Sequence, residues 1–338
     1  MLDNEEPASV PRVHLTLACG PYDRTAPLAD GRIRPEGVDL NVIQLEPEEI
    51  FWRMMRHAEF DVSEMSLSSY TIARSRGDER FVGLPIFLSR SFRHSSIYLR
   101  RDRNLENPVE LKGARFGVPE YQVTAAIWTR GFLADDFDLA AEDVTWVTGG
   151  VEEPGRAERQ KLTLPERIEV ERLTETTLTQ ALINGDIDAL MAPRVPSAFR
   201  RADSPLKRLF PDFADREREY FARTRLFPIM HLVVLRREIH ERHPWLAQSL
   251  TKAFAAAKRV AIHGIDDAPA LRWTLPMLLD AVERQRDVMG DDPWPYGLDA
   301  NRDALEVFVR YMVEQGLVAS SLSPEDLITP STHVASRI

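Results

Sequence analysis

Short runs of β-branched and apolar residues alternate with longer helical patterns along most of this sequence, and no other feature constrains the fold as strongly. Such alternation is typical of largely parallel sheets covered by helices. Strands are predicted at residues 13–18, 38–44, 60–64, 81–87, 95–101, 113–118, 144–148, 168–173, 187–192 and 227–236. Helices are predicted at residues 47–56, 66–76, 124–135, 176–184, 244–262, 269–289 and 301–315. The sequence therefore predicts an α/β protein with mixed sheets flanked by helices.

The order of these elements predicts two lobes. A chain of 338 residues is too long for one compact core. A second α/β series begins near residue 102, so we assign 1–101 to the first lobe and 102–226 to the second. The strand at 227–236 is expected to return to the first lobe, and the C-terminal helices to cover it. The charged, proline-containing stretch 152–166 is interpreted as a surface insertion.

Charge and composition exclude several classes of partner. A net charge of -10 argues against nucleic-acid binding, which requires a basic surface. Cys19 is the only cysteine, so an intramolecular disulfide and a multi-cysteine zinc site are both excluded. No apolar stretch approaches the ~20 residues that span a bilayer. The first twenty residues carry acids and prolines instead of a secretory signal, which predicts a cytoplasmic protein.

Sequence motifs for the common cofactors are missing. Neither GxxxxGK[ST] nor GxGxxG follows a predicted strand, and no GxSxG elbow is present. The run HERH at 240–243 lacks the HExxH spacing that places two imidazoles around zinc, and a polar helix entry explains it. We therefore expect no nucleotide cofactor. A metal held by scattered side chains is left open, and the sequence is compatible with a homo-oligomer.

The ends of the predicted strands select candidate site residues. In a sheet protein of this kind, ligands bind beyond the carboxyl ends of the strands, where loops and helix N-termini converge. In the first lobe this rule selects Tyr22, Asp23, Arg24, Glu64, Ser66, Ser68, Ser69, Arg90, Arg93 and His94. In the second lobe it selects Tyr121, Gln122, Thr124 and Arg194.

Four long segments carry a resemblance to a known family. They are GPYDRTAPLADGRIRPEGVDL at 20–40, FDVSEMSLSSY at 60–70, GLPIFLSRSFRHSSIYLR at 83–100 and FPIMHLVVLRREI at 227–239. With the order of elements, they make the chain resemble the 4,5-dihydroxyphthalate decarboxylases, which have a type 2 periplasmic-binding-protein-like fold. The resemblance implies cofactor-free, non-oxidative loss of carbon dioxide from a hydroxylated aromatic dicarboxylate, with protocatechuate as the product.

This chemistry assigns roles to the candidates. Arginine pairs bidentately with carboxylates, so Arg24, Arg90, Arg93 and Arg194 are predicted to hold the substrate. A helix N-terminus at Gln122 to Thr124 is expected to bind its other end. Protonation of the ring carbon requires a general acid, for which histidine is suited. His94 is the first choice and His231 the second, with Glu64 favoured over Asp23 to orient the histidine or accept the phenolic proton.

Two alternatives remain open at this stage. The first is a solute-binding protein whose cleft holds an aromatic or aliphatic carboxylate for transport or sensing, without turnover. The second is another lyase on this fold, resembling the dehydratases of menaquinone biosynthesis. The grouping of Arg90, Arg93 and His94 favours the decarboxylase over both.

Overall fold

The computed structural model of the chain describes residues 12–266, 270–320 and 322–333. The strands are β1 (Val13–Cys19), β2 (Val38–Gln44), β3 (Val62–Ser66), β4 (Phe81–Arg90), β5 (Ile97–Arg100), β6 (Arg115–Val118), β7 (Thr145–Thr148), β8 (Val170–Arg172), β9 (Ala189–Met191), β10 (Leu206–Arg208) and β11 (Ile229–Arg236). The helices are α1 (Ala26–Ala29), α2 (Pro47–His57), α3 (Leu67–Ser75), α4 (Thr124–Phe137), α5 (Leu178–Asn184), α6 (Phe213–Thr224), α7 (Arg237–Arg242), α8 (Leu246–Asp266), α9 (Leu278–Met289), α10 (Arg302–Glu314) and α11 (Pro324–Leu327).

These strands form two mixed sheets. The first has the order β2-β1-β3-β11-β4, and the second has the order β10-β5-β9-β6-β7-β8. In the first sheet β11 runs antiparallel between β3 and β4, so the chain does return to it as expected. The first crossing falls earlier than the sequence boundary at 101/102. A short 3₁₀ turn at His94–Ser96 precedes β5, which pairs with β9 and β10 in the second sheet.

Other differences from the sequence prediction concern short or weakly patterned elements. Strand β10 and helix α6 were not predicted. The helix expected at 269–289 begins only at Leu278 in the structure, and residue 269 lies outside the described residues. Within the described ranges, no helix combines the length and apolarity needed to cross a membrane.

One apolar core joins the two lobes. It runs from Met65 in the first sheet to Phe116 in the second and includes both α4 and α10. Helix α8 packs on α1 and β4 of the first lobe, whereas α10 packs against α4 of the second lobe. The expectation that the C-terminal helices cover the first lobe therefore does not describe α10. Its apolar face is buried by α4 instead.

Polar contacts show that the carboxyl ends of the strands in the two sheets face each other. Ser66, at the end of β3, lies 3.0 Å from Thr124 at the start of α4, measured between hydroxyl oxygens. Arg194, after β9, pairs at 2.9 Å with Glu46, after β2. Both contacts join residues that lie at or after the carboxyl ends of strands, so these edges of the two sheets lie against each other.

The contact between α4 and α10 yields a stability prediction. A Cβ atom on Gly131 of α4 would overlap the ring of Tyr311 on α10. Gly131→Ala should therefore lower the free energy of unfolding by about 1–3 kcal/mol, the usual cost of overpacking a core. Urea denaturation followed by circular dichroism measures this change.

Gly264→Ala in α8 is the matched control. Its Cβ would meet only the end of Arg272, at 3.7 Å. The higher helix propensity of alanine should make this variant neutral or up to about 1 kcal/mol more stable. Equal effects of the two substitutions would contradict the proposed steric contact.

Candidate active site

A buried carboxylate lies at the centre of the site. Glu64 is on β3, the middle strand of the first sheet, and its side chain is 0% exposed. Three donors converge on it. The Gly20 amide donates to Oε2 at 2.8 Å, the Tyr22 hydroxyl donates to Oε1 at 2.7 Å, and His231 Nδ1 lies 2.6 Å from Oε1. We call Tyr22, Glu64 and His231 the carboxylate–histidine group.

Strand pairing brings these three residues together. The end of β1 lies beside β3, which places Gly20 and Tyr22 on one side of Glu64. On the other side, β11 pairs with β3 so that Val233 is opposite Glu64 and His231 is opposite Ser66. A Cβ on Gly20 would lie 2.7 Å from the Tyr22 ring, so only glycine permits the close approach of the tyrosine.

The electrostatics of the group keep Glu64 ionised and Tyr22 neutral. Burial acts to raise the pKa of Glu64, but the hydrogen bond and charge of His231, with the bonds from Gly20 and Tyr22, outweigh burial and lower it. Burial and the neighbouring Glu64 charge raise the pKa of Tyr22, so its hydroxyl remains a donor.

The imidazole of His231 is held on two sides and accessible on another. Its Nδ1 is bound to Glu64, and its ring meets the edge of Phe51 with centroids 4.8 Å apart. The side chain keeps 19% of its surface exposed. Nε2 is therefore the ring nitrogen that is available to a substrate.

Hydroxyl groups from both lobes adjoin this histidine. The Ser66 Oγ lies 3.1 Å from Ser68 Oγ and 3.0 Å from Thr124 Oγ1, and the Ser68 amide donates to Thr124 Oγ1 at 3.2 Å. All three residues are buried. Three of the predicted substrate-binding residues are thus brought together. They lie next to His231, which is opposite Ser66 in the pairing of β11 with β3.

The stretch 152–166, predicted to be a surface insertion, belongs to the segment 149–169 between β7 and β8, and side chains of this segment contact both lobes. Arg156 and Arg159 from this segment both pair with the buried Glu120, at 2.7 and 3.3 Å. Arg156 also reaches Glu48 of α2 at 3.3 Å, and the Arg159 guanidinium lies 5.6 Å from the Phe51 ring. We call 149–169 the bridging segment, because its side chains contact both lobes.

Arg156 and Arg159 of this segment were not among the candidates predicted from the sequence. A signal was present, because the run EEPGRAERQK at 152–161 alternates acids and bases directly after the Gly149–Gly150 end of a strand. The same strand-end rule that selected other candidates applies there. The proline and high charge were given more weight than the position.

The predicted helix N-terminus is occupied by a side chain of the protein itself. Glu158, from the bridging segment, accepts hydrogen bonds from the amides of Tyr121 and Gln122 and, at 2.9 Å, from the Gln122 side chain. The sequence analysis expected a substrate anion at this place.

The four predicted arginine clamps do not converge. Arg90 is buried and donates to the carbonyls of Phe227 and Pro295, both at 2.9 Å, and to Asn301, so it is a structural side chain. The Nε of Arg93 is buried without a hydrogen-bond partner among the described residues. Arg194 is 76% exposed and pairs with Glu46.

Arg24 is the one of these four that adjoins the carboxylate–histidine group. Its guanidinium lies 4.2 Å from the ring centroids of both Tyr22 and Trp294 and donates to the Leu88 carbonyl at 2.9 Å. Asp23 pairs with Arg24 at 3.2 Å and not with a histidine. Glu64, the favoured candidate for orienting the histidine, makes that contact.

His94, the first choice for the general acid, lies in an aromatic cluster. Its ring stacks on Phe132 at 4.2 Å and contacts Phe210 and Tyr220. It is 3% exposed, and its Nδ1 is buried without a hydrogen-bond partner among the residues that the structure describes. Burial, with the charges of Arg216 and Arg223, lowers the pKa of His94 to about 4. A neutral, desolvated imidazole is a poor proton donor at neutral pH, so the structure supports His231 instead.

Possible metal ligands do not cluster in this structure. Across the described ranges, no three His, Cys, Asp or Glu side chains are placed to hold one ion. The thiol of Cys19 is buried, and burial together with the nearby Glu64 charge raises its pKa to about 12. It therefore stays protonated and packs as a small apolar side chain.

Comparison with solved structures shows the fold. The periplasmic aliphatic sulphonate binding protein SsuA of Escherichia coli superposes with a TM-score of 0.52 and 11% identity, covering 98% of this chain and 96% of that one. The sulfonate-binding protein SsuA of Methylobacillus flagellatus gives a TM-score of 0.53 at 11% identity, covering 95% and 92%. The two-lobed, type 2 periplasmic-binding-protein-like architecture is thus confirmed. At such low identity, these structures show the fold alone.

Comparison with curated sequences shows the family. No protein-family model matches the chain. A 4,5-dihydroxyphthalate decarboxylase of Comamonas testosteroni is 41% identical over 322 residues, which cover 95% of this chain and 98% of that protein. A 4,5-dihydroxyphthalate decarboxylase of Pseudomonas putida is 46% identical over 208 residues, covering 61% and 81%. The chain therefore belongs to the 4,5-dihydroxyphthalate decarboxylase family.

Proposed function

We propose that this protein is a carboxy-lyase that converts 4,5-dihydroxyphthalate into protocatechuate and carbon dioxide, with His231 as the general acid. The curated relatives carry the name of this activity. The observation that carries the mechanism is the pairing of His231 Nδ1 with the buried Glu64 carboxylate at 2.6 Å. This pairing fixes one ring nitrogen and leaves the other for the substrate.

The hydroxyl groups of the substrate determine which ring carbon is protonated. The hydroxyl para to one carboxylate donates electron density to the ring carbon that carries this carboxylate. His231 Nε2–H protonates this carbon and forms a carbon–hydrogen bond. The carbon–carbon bond then breaks, its electron pair restores the aromatic ring, and carbon dioxide leaves. One proton is consumed overall, and solvent returns it to the imidazole.

Glu64 and Tyr22 support this proton transfer. The ionised Glu64 stabilises the imidazolium before transfer and fixes its tautomer, as a second group does in catalytic triads. The Tyr22 hydroxyl shares the same carboxylate oxygen and limits its rotation. Enclosure between the lobes strengthens both interactions, because the local dielectric constant is lower than that of water.

Substrate contacts are proposed for the predicted residues that border this group. Arg24 provides the adjoining positive charge, and Ser66, Ser68 and Thr124 provide hydroxyl donors from both lobes. This proposal leaves out four of the predicted residues. Other contacts engage Arg90, Arg194 and His94, and no described contact joins Arg93 to the carboxylate–histidine group.

Replacement of the two histidines tests the mechanism. His231→Asn should lower kcat by a factor of about 10²–10⁴, as loss of a general acid does. His94→Phe keeps the aromatic stack and should leave kcat within roughly threefold. The rate is measured as protocatechuate and carbon dioxide formed from 4,5-dihydroxyphthalate, with circular dichroism to verify folding. A His231→Asn enzyme of normal rate would remove this ring from the mechanism, and a wild-type protein that binds without turnover would favour a solute-binding role.

The pH profile tests the role of Glu64. The rate should fall as pH drops through the pKa of Glu64, because a protonated carboxyl no longer accepts the hydrogen bond from His231 Nδ1. Burial acts to raise this pKa, but the contacts with His231, Gly20 and Tyr22 outweigh burial and hold it below its ordinary value. Glu64→Gln cannot titrate, so this acidic limb should be absent from its profile. Asp23→Asn is the matched control and should leave the limb in place, since Asp23 pairs with Arg24. Identical profiles for Glu64→Gln and wild type would exclude electrostatic coupling to the imidazole.

Two expectations about the cellular context stay predictions. Cytoplasmic location follows from the sequence argument and is tested by cell fractionation with an antibody against the chain. Assembly into a homo-oligomer is tested by light scattering of the purified protein. The proposed chemistry uses residues of one chain and depends on neither result.

A further inference from the structure

A cavity of about 370 Å³ lies between α2 and α3, apart from the carboxylate–histidine group. Pockets that bind small molecules usually have volumes of about 300–1,000 Å³. Arg159 and Gln160 of the bridging segment also line this cavity, and the Gln160 side chain donates to the Ser69 carbonyl at 3.0 Å. The bridging segment belongs to the second lobe, so a ligand in the cavity would contact both lobes.

The cavity carries an excess of positive charge. Asp78 is the one acidic residue among the described residues that line it, whereas four of the lining residues are arginines: Arg56, Arg76, Arg80 and Arg159. Asp78 is already paired with Arg80, at 2.7 Å. Arg56 lies 5.8 Å from the Trp52 ring, and neither Arg56 nor Arg76 has an ion pair within the described part of the chain. In a chain with a net charge of -10, this local excess favours an anionic ligand.

The other walls of the cavity favour an aromatic ligand. Phe51 and Trp52 of α2 and Ala73 of α3 line it, and Trp52 is 55% exposed. An aromatic ring that packs on these side chains removes apolar surface from water, and a guanidinium pairs with a carboxylate in a bidentate geometry. A small aromatic carboxylate therefore satisfies both kinds of wall. An inorganic anion satisfies the arginines alone.

Phe51 connects the cavity to the proposed general acid. Its ring lines the cavity and also meets the ring of His231, with centroids 4.8 Å apart. Phe51 is 3% exposed, so it is packed firmly between its neighbours. The Arg159 guanidinium, 5.6 Å from the same ring, belongs to the cavity as well. A ligand that displaces the Phe51 ring thus changes the packing of the imidazole without touching it.

We propose that this cavity, which we call the arginine cavity, is a second ligand site for a small aromatic carboxylate, and that Phe51 transmits its occupancy to His231. The class of ligand follows from the arginines and the aromatic walls. The effect on turnover rests on the proposed function. The substrate and the product of that reaction both belong to this class, so the site makes the rate respond to the concentration of aromatic acids.

Equilibrium dialysis with labelled phthalate tests the site. The double variant Arg56→Gln/Arg76→Gln removes both arginines that lack an ion pair, so it should bind about one phthalate per chain fewer than wild type. This difference does not depend on whether phthalate also binds near His231. Equal stoichiometry in wild type and the double variant would overturn the proposal. Displacement of the additional phthalate by an equal concentration of sulfate would contradict the aromatic specificity.

The double variant Arg32→Gln/Arg201→Gln is the matched control, because it removes two exposed charges outside the cavity. These arginines pair with Asp30 and Asp203 at 2.7 and 2.8 Å. The control should bind as many phthalate ions as wild type. Loss of the same phthalate in the control would assign the effect to overall charge and overturn the site.

Inhibition of turnover by benzoate tests the coupling through Phe51. In wild type, benzoate should lower kcat for 4,5-dihydroxyphthalate as well as raise KM, whereas in Arg56→Gln/Arg76→Gln it should raise KM alone. Purely competitive inhibition of wild type would overturn the coupling. The dialysis experiment needs no turnover, which separates the two proposals: an inactive wild type with the expected loss of one phthalate would contradict the proposed function and leave the site supported.

The opposite result, normal turnover with equal phthalate stoichiometry in wild type and Arg56→Gln/Arg76→Gln, overturns the arginine cavity as a ligand site and leaves the proposed function intact. Circular dichroism verifies that each variant is folded.

Discussion

Desolvation of the Glu64 carboxylate constrains the rest of the site. An isolated buried charge would cost several kcal/mol or would be neutralised by protonation. Here the chain end after β1 supplies an amide and a hydroxyl, and the antiparallel β11 supplies an imidazole. Because all three donors come from the neighbours of one central strand, the sheet order itself stabilises the charge. The same arrangement leaves part of the His231 side chain exposed, which is why we propose it as the proton donor.

The two lobes are held together by more than the crossing strands. A continuous apolar core runs through α4 and α10, and Trp128 of α4 donates its indole N–H to the Ile229 carbonyl at 2.9 Å. A hinge motion that separates these helices would expose large apolar side chains.

The two candidate histidines show how surroundings assign chemistry to identical residues. His94 is buried among aromatic side chains, so its neutral form is favoured. His231 has gained a carboxylate partner and kept part of its surface exposed. Two arginines close to His94 in the sequence favoured it as the general acid. In the structure, however, Arg90 donates its hydrogen bonds to backbone carbonyls. Proximity along the chain says little about which groups a buried side chain will meet.

Periodicity and strand-end position determined the fold class, the return of β11 and the candidacy of Glu64, Ser66 and Thr124, because apolar spacing and turn residues act locally. His231 became a candidate through the family-like segment that contains it. Long similar segments indicated the family. Tertiary structure decided the rest: which histidine meets a carboxylate, which arginines are structural, and that the bridging segment reaches both lobes. Each of these depends on strand order and on contacts between residues distant in the chain, such as Glu64 with His231, and local patterns do not encode such distances.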